Sequence, residues 1–338
     1  MATEHEAWLT LTTEVPIKPE LPVCDPHHHL WEHSDNHYLV EELLRDTAGG
    51  HNIVRTVFVE CSSRYRQEAP EEMQPVGETE FVQGIATRSE SGQYGKIRVA
   101  AGIVGFADLT LGAAVKPVLE AHIETGKGRF RGIRHSPAWD ASPDIRSFAK
   151  IPGLLLDSRF REGFACLQQY DLSFDAWLYH PQLMELVDLA RTFPDTPIIL
   201  DHIGGPLGIG PYAGKRKEIF GEWKSGIAAL AACSNVAVKL GGLGIPNCGF
   251  GWHERTTPPN SAELADAMIP YYHWCIEHFG VDRCMFESNF PVDKASYSYT
   301  VMWNAFKHIS GDFSPQEQSA LFHDTAERVY RLKTNNQG

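Results

Sequence analysis

Two histidines stand two apart in the stretch "VCDPHHHLW": His27 and His29. On an extended strand such residues face one side, so their imidazoles can grip one divalent metal or flank one substrate group. Asp25 falls on the same side by this alternation, and His28 on the other. A third imidazole, His202, follows an apolar run in "IILDHIGGP". There it can act as a metal ligand or as a general acid/base. His180, in "WLYHPQL", is a further candidate ligand. Arg134 in "GIRH" offers a planar fork suited to a carboxylate, and Glu60 at the end of "IVRTVFVE" can ligate, orient a histidine or pair with an arginine. Lys239 lies inside the apolar "VAVKLGGL", where it needs a partner carboxylate or a substrate anion.

Eight short apolar runs must position these groups. They are "LPVCDPHHH", Ile53 to Glu60, Ile97 to Phe106, Phe130 to Trp139, Leu172 to Tyr179, Pro197 to Gly204, Val236 to Leu243 and Arg283 to Pro291. Each ends in a polar or glycine cluster, as strands covered on both faces do. Amphipathic segments lie between them. In "QLMELVDLARTF", Leu183, Leu186, Val187 and Ala190 recur at helical spacing. Strand and helix alternating eight times close most simply as a distorted (β/α)8 TIM barrel. Polar or Gly/Pro-rich insertions follow the second, sixth and seventh strands, on the face where barrels carry chemistry; the first spans Ser62 to Gln83. Residues 1–20 read as an N-terminal extension and 21–335 as one barrel domain.

The 338 residues carry a net charge of −13. No basic patch dense enough for a phosphate backbone is visible, which argues against a nucleic-acid partner. Seven widely spaced cysteines without a C-x-x-C pair suit a reducing compartment. No signal peptide or clean membrane span is legible, so the expected location is cytoplasmic. The expected partner is a small molecule, with a homo-oligomer left open.

"DPHHHLW", "GIRH", "ILDHIGGP", "VKLGG", "MFESNFP" and the closing "DTAERVYRL" occur in that order. Together they resemble the amidohydrolase-2 branch of the amidohydrolase superfamily, in its sugar lactonase and 2-pyrone-4,6-dicarboxylate lactonase-like subgroup. The resemblance covers about Val23 to Leu332. It implies a distorted barrel with the site at the strand carboxyl ends, and His27, His29 and His202 as site residues. One position departs from the family pattern. An aspartate usually follows the serine of the eighth-strand motif; here Asn289 follows Ser288. An amide cannot ionise, so Asn289 cannot be a general base, though it can hydrogen-bond substrate or ligate through its oxygen. Glu287 and Asp293 are the nearby carboxylates that could replace it.

The leading expectation is a hydrolase that opens a lactone or related cyclic ester of a small carboxylated or sugar-derived substrate. Water attacks the carbonyl; His202 or an eighth-strand carboxylate takes its proton. Polarisation comes from one divalent metal, zinc or manganese, on His27, His29 and His202, or from the imidazoles without metal. Arg134, Lys239, Glu60 and Asp293 are the expected substrate-binding groups. Two alternatives stand beside it. One is a metal-dependent non-oxidative decarboxylase of an aromatic or unsaturated acid, for which His180 would supply a fifth-strand ligand. The other is a barrel that only binds a small acid, Asn289 having replaced the base.

Overall fold

A computed structural model describes residues 4–33 and 36–332. All eight expected strands are present: β1 (Pro22–His28), β2 (Asn52–Val59), β3 (Arg98–Gly105), β4 (Phe130–Arg134), β5 (Ser173–Ala176), β6 (Ile198–Leu200), β7 (Val236–Leu240) and β8 (Cys284–Phe286). Each pairs in parallel with the next in chain order. Helices flank them, among them Val76–Glu90, Leu183–Thr192, Arg216–Ala231, Ser261–Phe279 and Tyr299–Ile309. This is a nearly closed (β/α)8 barrel. A two-stranded antiparallel hairpin, Trp31–His33 with Asn36–Tyr38, follows β1 and carries no pattern that the sequence reading recognised.

No ladder joins β8 to β1. The seam closes only beyond the end of β8, through a single bridge between His28 and Phe290. There the Asn289 N–H donates to the His27 carbonyl (2.9 Å), and the His29 N–H to the Phe290 carbonyl (2.8 Å). Lower in the barrel the C-terminal segment supplies the missing packing. Ala326, Tyr330 and Leu332 join Cys24, Val57, Val59, Val104, Ile199, Ala237 and Met285 in one buried cluster. The segment is thus a floor for the barrel. Burying a side chain such as Leu332 is worth about 1.5–3 kcal/mol.

Several boundaries differ from the sequence reading. The polar insertion after β2 ends at Pro75, because Val76, Val82, Ile85 and Ala86 give the following residues a buried helical face. The sixth apolar run stops at Leu200, since Asp201–Gly204 forms a tight turn with His202 (φ 53°) and Ile203 (φ 50°) left-handed. Pro270 lies inside the helix Ser261–Phe279. The N-terminal segment docks on the barrel: the Trp8 indole N–H donates to the Arg255 carbonyl (2.9 Å), and Glu14 accepts from the Ser261 N–H (2.7 Å). No helix among the described residues is long and apolar enough to cross a membrane.

Candidate active site

The carboxyl ends of the strands bring three imidazoles together. His27 Nε2 lies 3.2 Å from His29 Nε2, and the His27 and His202 ring centres are 4.6 Å apart. All three are at most 3% exposed. His29 Nδ1 is 2.8 Å from the Val59 carbonyl, which can only accept, so that nitrogen carries the proton and Nε2 keeps its lone pair. Burial holds all three below the usual histidine value, His27 at about 4 and His202 at about 3. At neutral pH the rings are therefore uncharged.

Glu287 fixes His202 and stands beside His27. Its Oε1 accepts from His202 Nδ1 (2.6 Å) and from the His202 backbone N–H (3.0 Å), while Oε2 is 2.9 Å from His27 Nδ1. His202 is packed edge-on against Trp177 at 4.7 Å. Glycine is required beside it: a Cβ on Gly242, at φ +74°, would sit 2.3 Å from the His202 Cβ.

Arg134 and Lys239 enter as internal ties. Arg134 Nε donates to Glu60 Oε1 (2.8 Å) and its NH2 to the Glu60 carbonyl (2.5 Å), leaving NH1 3.3 Å from His27 Nε2. Lys239 is wholly buried, with Nζ 2.7 Å from Asp175 Oδ2, 2.9 Å from Asp201 Oδ1 and 3.0 Å from His27 Nδ1. Burial opposes its charge, but Asp175 and Asp201 outweigh that and raise its pKa. Burial likewise opposes ionisation of Asp201, yet Lys239 and His27 hold its carboxyl well below the usual range. Asp175 is raised to about 6 by burial, against the pull of Lys239, and also accepts from the Tyr330 hydroxyl at 2.5 Å.

Asp25, His28 and the expected ligand His180 lie outside the imidazole cluster. Asp25 does not share the imidazole face, because the β1–β2 register shifts between Asp25 and His28. Its carboxylate instead accepts from the Ser288 N–H and the Tyr299 hydroxyl, both at 2.9 Å. His28 packs behind, 2.9 Å from the Thr56 hydroxyl. His180 is not brought to the cluster: its Nδ1 accepts from the Leu207 N–H (3.2 Å) and its ring meets Tyr212. Asp201, Glu287 and Asp175 complete the cluster. Asp201 carries no separate signal in sequence, Glu287 reads only as a substitute base, and Asp175 gives the same signal as Lys239, a charge inside an apolar strand.

Asn289 Nδ2 donates to Asp293 Oδ1 (2.7 Å), and Asp293 Oδ2 accepts from the Tyr297 hydroxyl (2.6 Å) and the Gly244 N–H (3.1 Å). This fixes the amide, leaving the Asn289 Oδ1 buried without a hydrogen bond. Burial raises the Asp293 carboxyl to about 7, against those three hydrogen bonds. The folded protein therefore holds a proton that the unfolded chain, near 3.8, has lost. Its contribution to stability is greatest below pH 4, falls as pH rises to about 7, then levels off. Asp293→Asn is expected to flatten that part of the stability–pH curve. Denaturant titrations of both proteins between pH 4 and 8 check this, and parallel curves would contradict it.

The buried groups also suit a metal. His27, Asp201 and His202 present donor atoms all within 4.8 Å of one another. Asp201 Oδ1 is ion-paired with Lys239 at 2.9 Å, but neither Asp201 oxygen has a hydrogen bond of good geometry. Four carboxyl groups, from Glu60, Asp175, Asp201 and Glu287, surround only two fixed cations, Arg134 and Lys239. Nitrogen and carboxylate donors are those that zinc accepts. A cavity of about 530 Å³, lined in part by Glu60, Ser62, His135 and Ser136, adjoins the cluster at Glu60.

A family model for amidohydrolases matches residues 24–332. The chain belongs to the amidohydrolase family. It is 34% identical over 335 residues to the uncharacterized protein y4mH of Sinorhizobium fredii, covering 93% of this chain and 99% of that one. An L-fucono-1,5-lactonase of Burkholderia multivorans is 26% identical over 266 residues, covering 77% of this chain and 82% of the relative. A Burkholderia multivorans amidohydrolase crystallised with zinc shares the fold, with a TM-score of 0.69, 23% identity and coverage of 92% and 99%. Family membership and the lactonase-named relatives support an amidohydrolase-superfamily hydrolase.

Proposed function

We propose that the protein hydrolyses a lactone or related cyclic ester of a small carboxylated or sugar-derived acid. The observation that carries this reading is the Glu287–His202 pair, with Oε1 2.6 Å from Nδ1, beside two further imidazoles. Glu287 holds the His202 proton on Nδ1, so Nε2 is the nitrogen that accepts a proton from attacking water. As that proton arrives, the carboxylate stabilises the imidazolium, the logic of a nucleophile–base–orienter triad. Arg134 supplies a permanent positive charge beside His27, where negative charge grows on the carbonyl oxygen. The bare Asn289 Oδ1 accepts a hydrogen bond from water or a substrate hydroxyl.

In this reading His202 Nε2 is the proton acceptor, so a divalent metal would fall to His27 and Asp201, the other two residues of the donor cluster, with His29 Nε2 3.2 Å from His27 Nε2. When bound it would polarise the carbonyl and lower the pKa of water. The decarboxylase alternative lacks support from His180, whose ring is engaged with Leu207 and Tyr212.

The test is a panel of sugar-acid lactones and pyrone carboxylates, read by acid release. Metal content is measured in parallel by plasma mass spectrometry before and after chelator. The expected result is turnover of at least one lactone, with about one zinc or manganese per chain. Saturable acid binding without turnover, with metal restored, would replace this reading with the binding-only one.

A further inference from the structure

The face of the barrel opposite the imidazole cluster holds a second concentration of charge. A cavity of about 230 Å³ opens there, lined by Arg55, Arg98, Lys127, Arg129, Arg131 and Glu90 among others. The fold forces this convergence. Arg55 of β2 and Arg98 of β3 are direct register partners, and like charges facing across a ladder repel. Arg129 and Arg131 are two apart at the amino end of β4, so their side chains leave on one side. The four arginines are half-buried and Lys127 is exposed.

The counter-charges do not match. Glu327 pairs with Arg55, and Glu90 with Arg129. Among the described residues, Arg98, Lys127 and Arg131 form no ion pair with a carboxylate. Arg98 reaches only the Ser89 carbonyl at 3.5 Å. Arg131 NH1 donates to the Phe130 carbonyl at 3.1 Å, while its Nε is buried with no hydrogen bond. Asp171, the acid that acts on Arg131, is itself paired with Arg331 at 3.4 Å. Burial, Arg331 and Arg129 together disfavour the Arg131 charge. An acidic protein with a net charge of −13 thus keeps several cations close together with too few carboxylates.

We propose that this cavity is a binding site for a phosphate group, either free phosphate or a small phosphomonoester. Guanidinium forks match phosphate oxygens bidentately, and the volume suits one tetrahedral anion. The bound dianion supplies the negative charge that the strands leave out. It stabilises the fold by mass action, because it holds together strands that otherwise repel. The site is separate from the catalytic cluster and does not depend on which ester the protein opens.

The experiment uses the full chain at constant ionic strength, with phosphate replacing chloride. Calorimetric titration with inorganic phosphate is expected to be saturable, with one site per chain. Arg98→Gln and Arg131→Gln are each expected to weaken it at least about tenfold, the worth of a hydrogen bond to a charged group. Thermal midpoints give a second readout. Without phosphate, Arg131→Gln should melt no lower than the parent, since it relieves repulsion; with saturating phosphate the parent should melt higher. Glycerol 1-phosphate matching inorganic phosphate supports a phosphomonoester ligand, and a response to inorganic phosphate alone supports the free ion. Midpoints that follow ionic strength alone overturn the proposal. So does phosphate binding that both variants retain, which would place the anion elsewhere.

Discussion

His202→Ala is expected to lower lactone turnover by at least about a hundredfold, the usual worth of a positioned general base. The loss should fall on kcat more than on KM, because the imidazole acts as the proton moves. Glu287→Gln should reproduce much of it. A glutamine can accept from His202 Nδ1, but it has no charge to stabilise the imidazolium. The double variant should be little worse than His202→Ala alone, since residues acting as one unit are not additive. Metal content separates two roles for His202. With the metal held by His27 and Asp201 beside His29, His202→Ala keeps its metal while losing turnover. Loss of metal together with turnover would make His202 a ligand instead. Near-parental turnover in a folded variant would remove it from the mechanism altogether.

Lys239→Met is expected to destabilise the fold by about 3–5 kcal/mol, the cost of removing one partner from a buried ion pair. Lys239 is wholly buried between Asp175 and Asp201, at 2.7 and 2.9 Å. Taking away its charge leaves two buried carboxylates facing each other. Asp175 then holds a proton more readily, and Asp201 loses its largest stabilising neighbour. Adding Asp175→Asn should recover part of the loss, because the second change removes a charge that the first left unpaired. Urea titrations check this through the midpoint at constant slope. A single variant as stable as the parent would show that Lys239 does not carry the balance assigned to it.

The barrel was legible because its strands are short apolar runs with polar ends, a pattern set by burial on both faces. The strand ends were less so. In "ILDHIGGP" the alternation stops at Leu200, and His202 and Ile203 take left-handed backbone that no period of two or 3.6 describes. His27 and His29 were legible through their spacing, although a register shift removes Asp25 from their face. Lys239 was noticed as a charge out of place, but its partners lie far off in the chain and spacing cannot supply them. Glu287 shows the same limit. It reaches His202 across 85 positions, and only the closed barrel brings the two together.

The floor of the barrel has a consequence for timing. Tyr330 follows Asp175 by 155 positions, yet its hydroxyl donates to Oδ2 of that buried carboxylate. At the usual pace of synthesis, about 5–20 residues per second, Tyr330 is made roughly 8–30 s after Asp175. Throughout that interval β5 carries an acid whose permanent neighbour does not yet exist. Packing of the barrel floor therefore waits on a segment made after all eight strands. The emerging chain passes through a stage in which its strands exist while its interior is open from below.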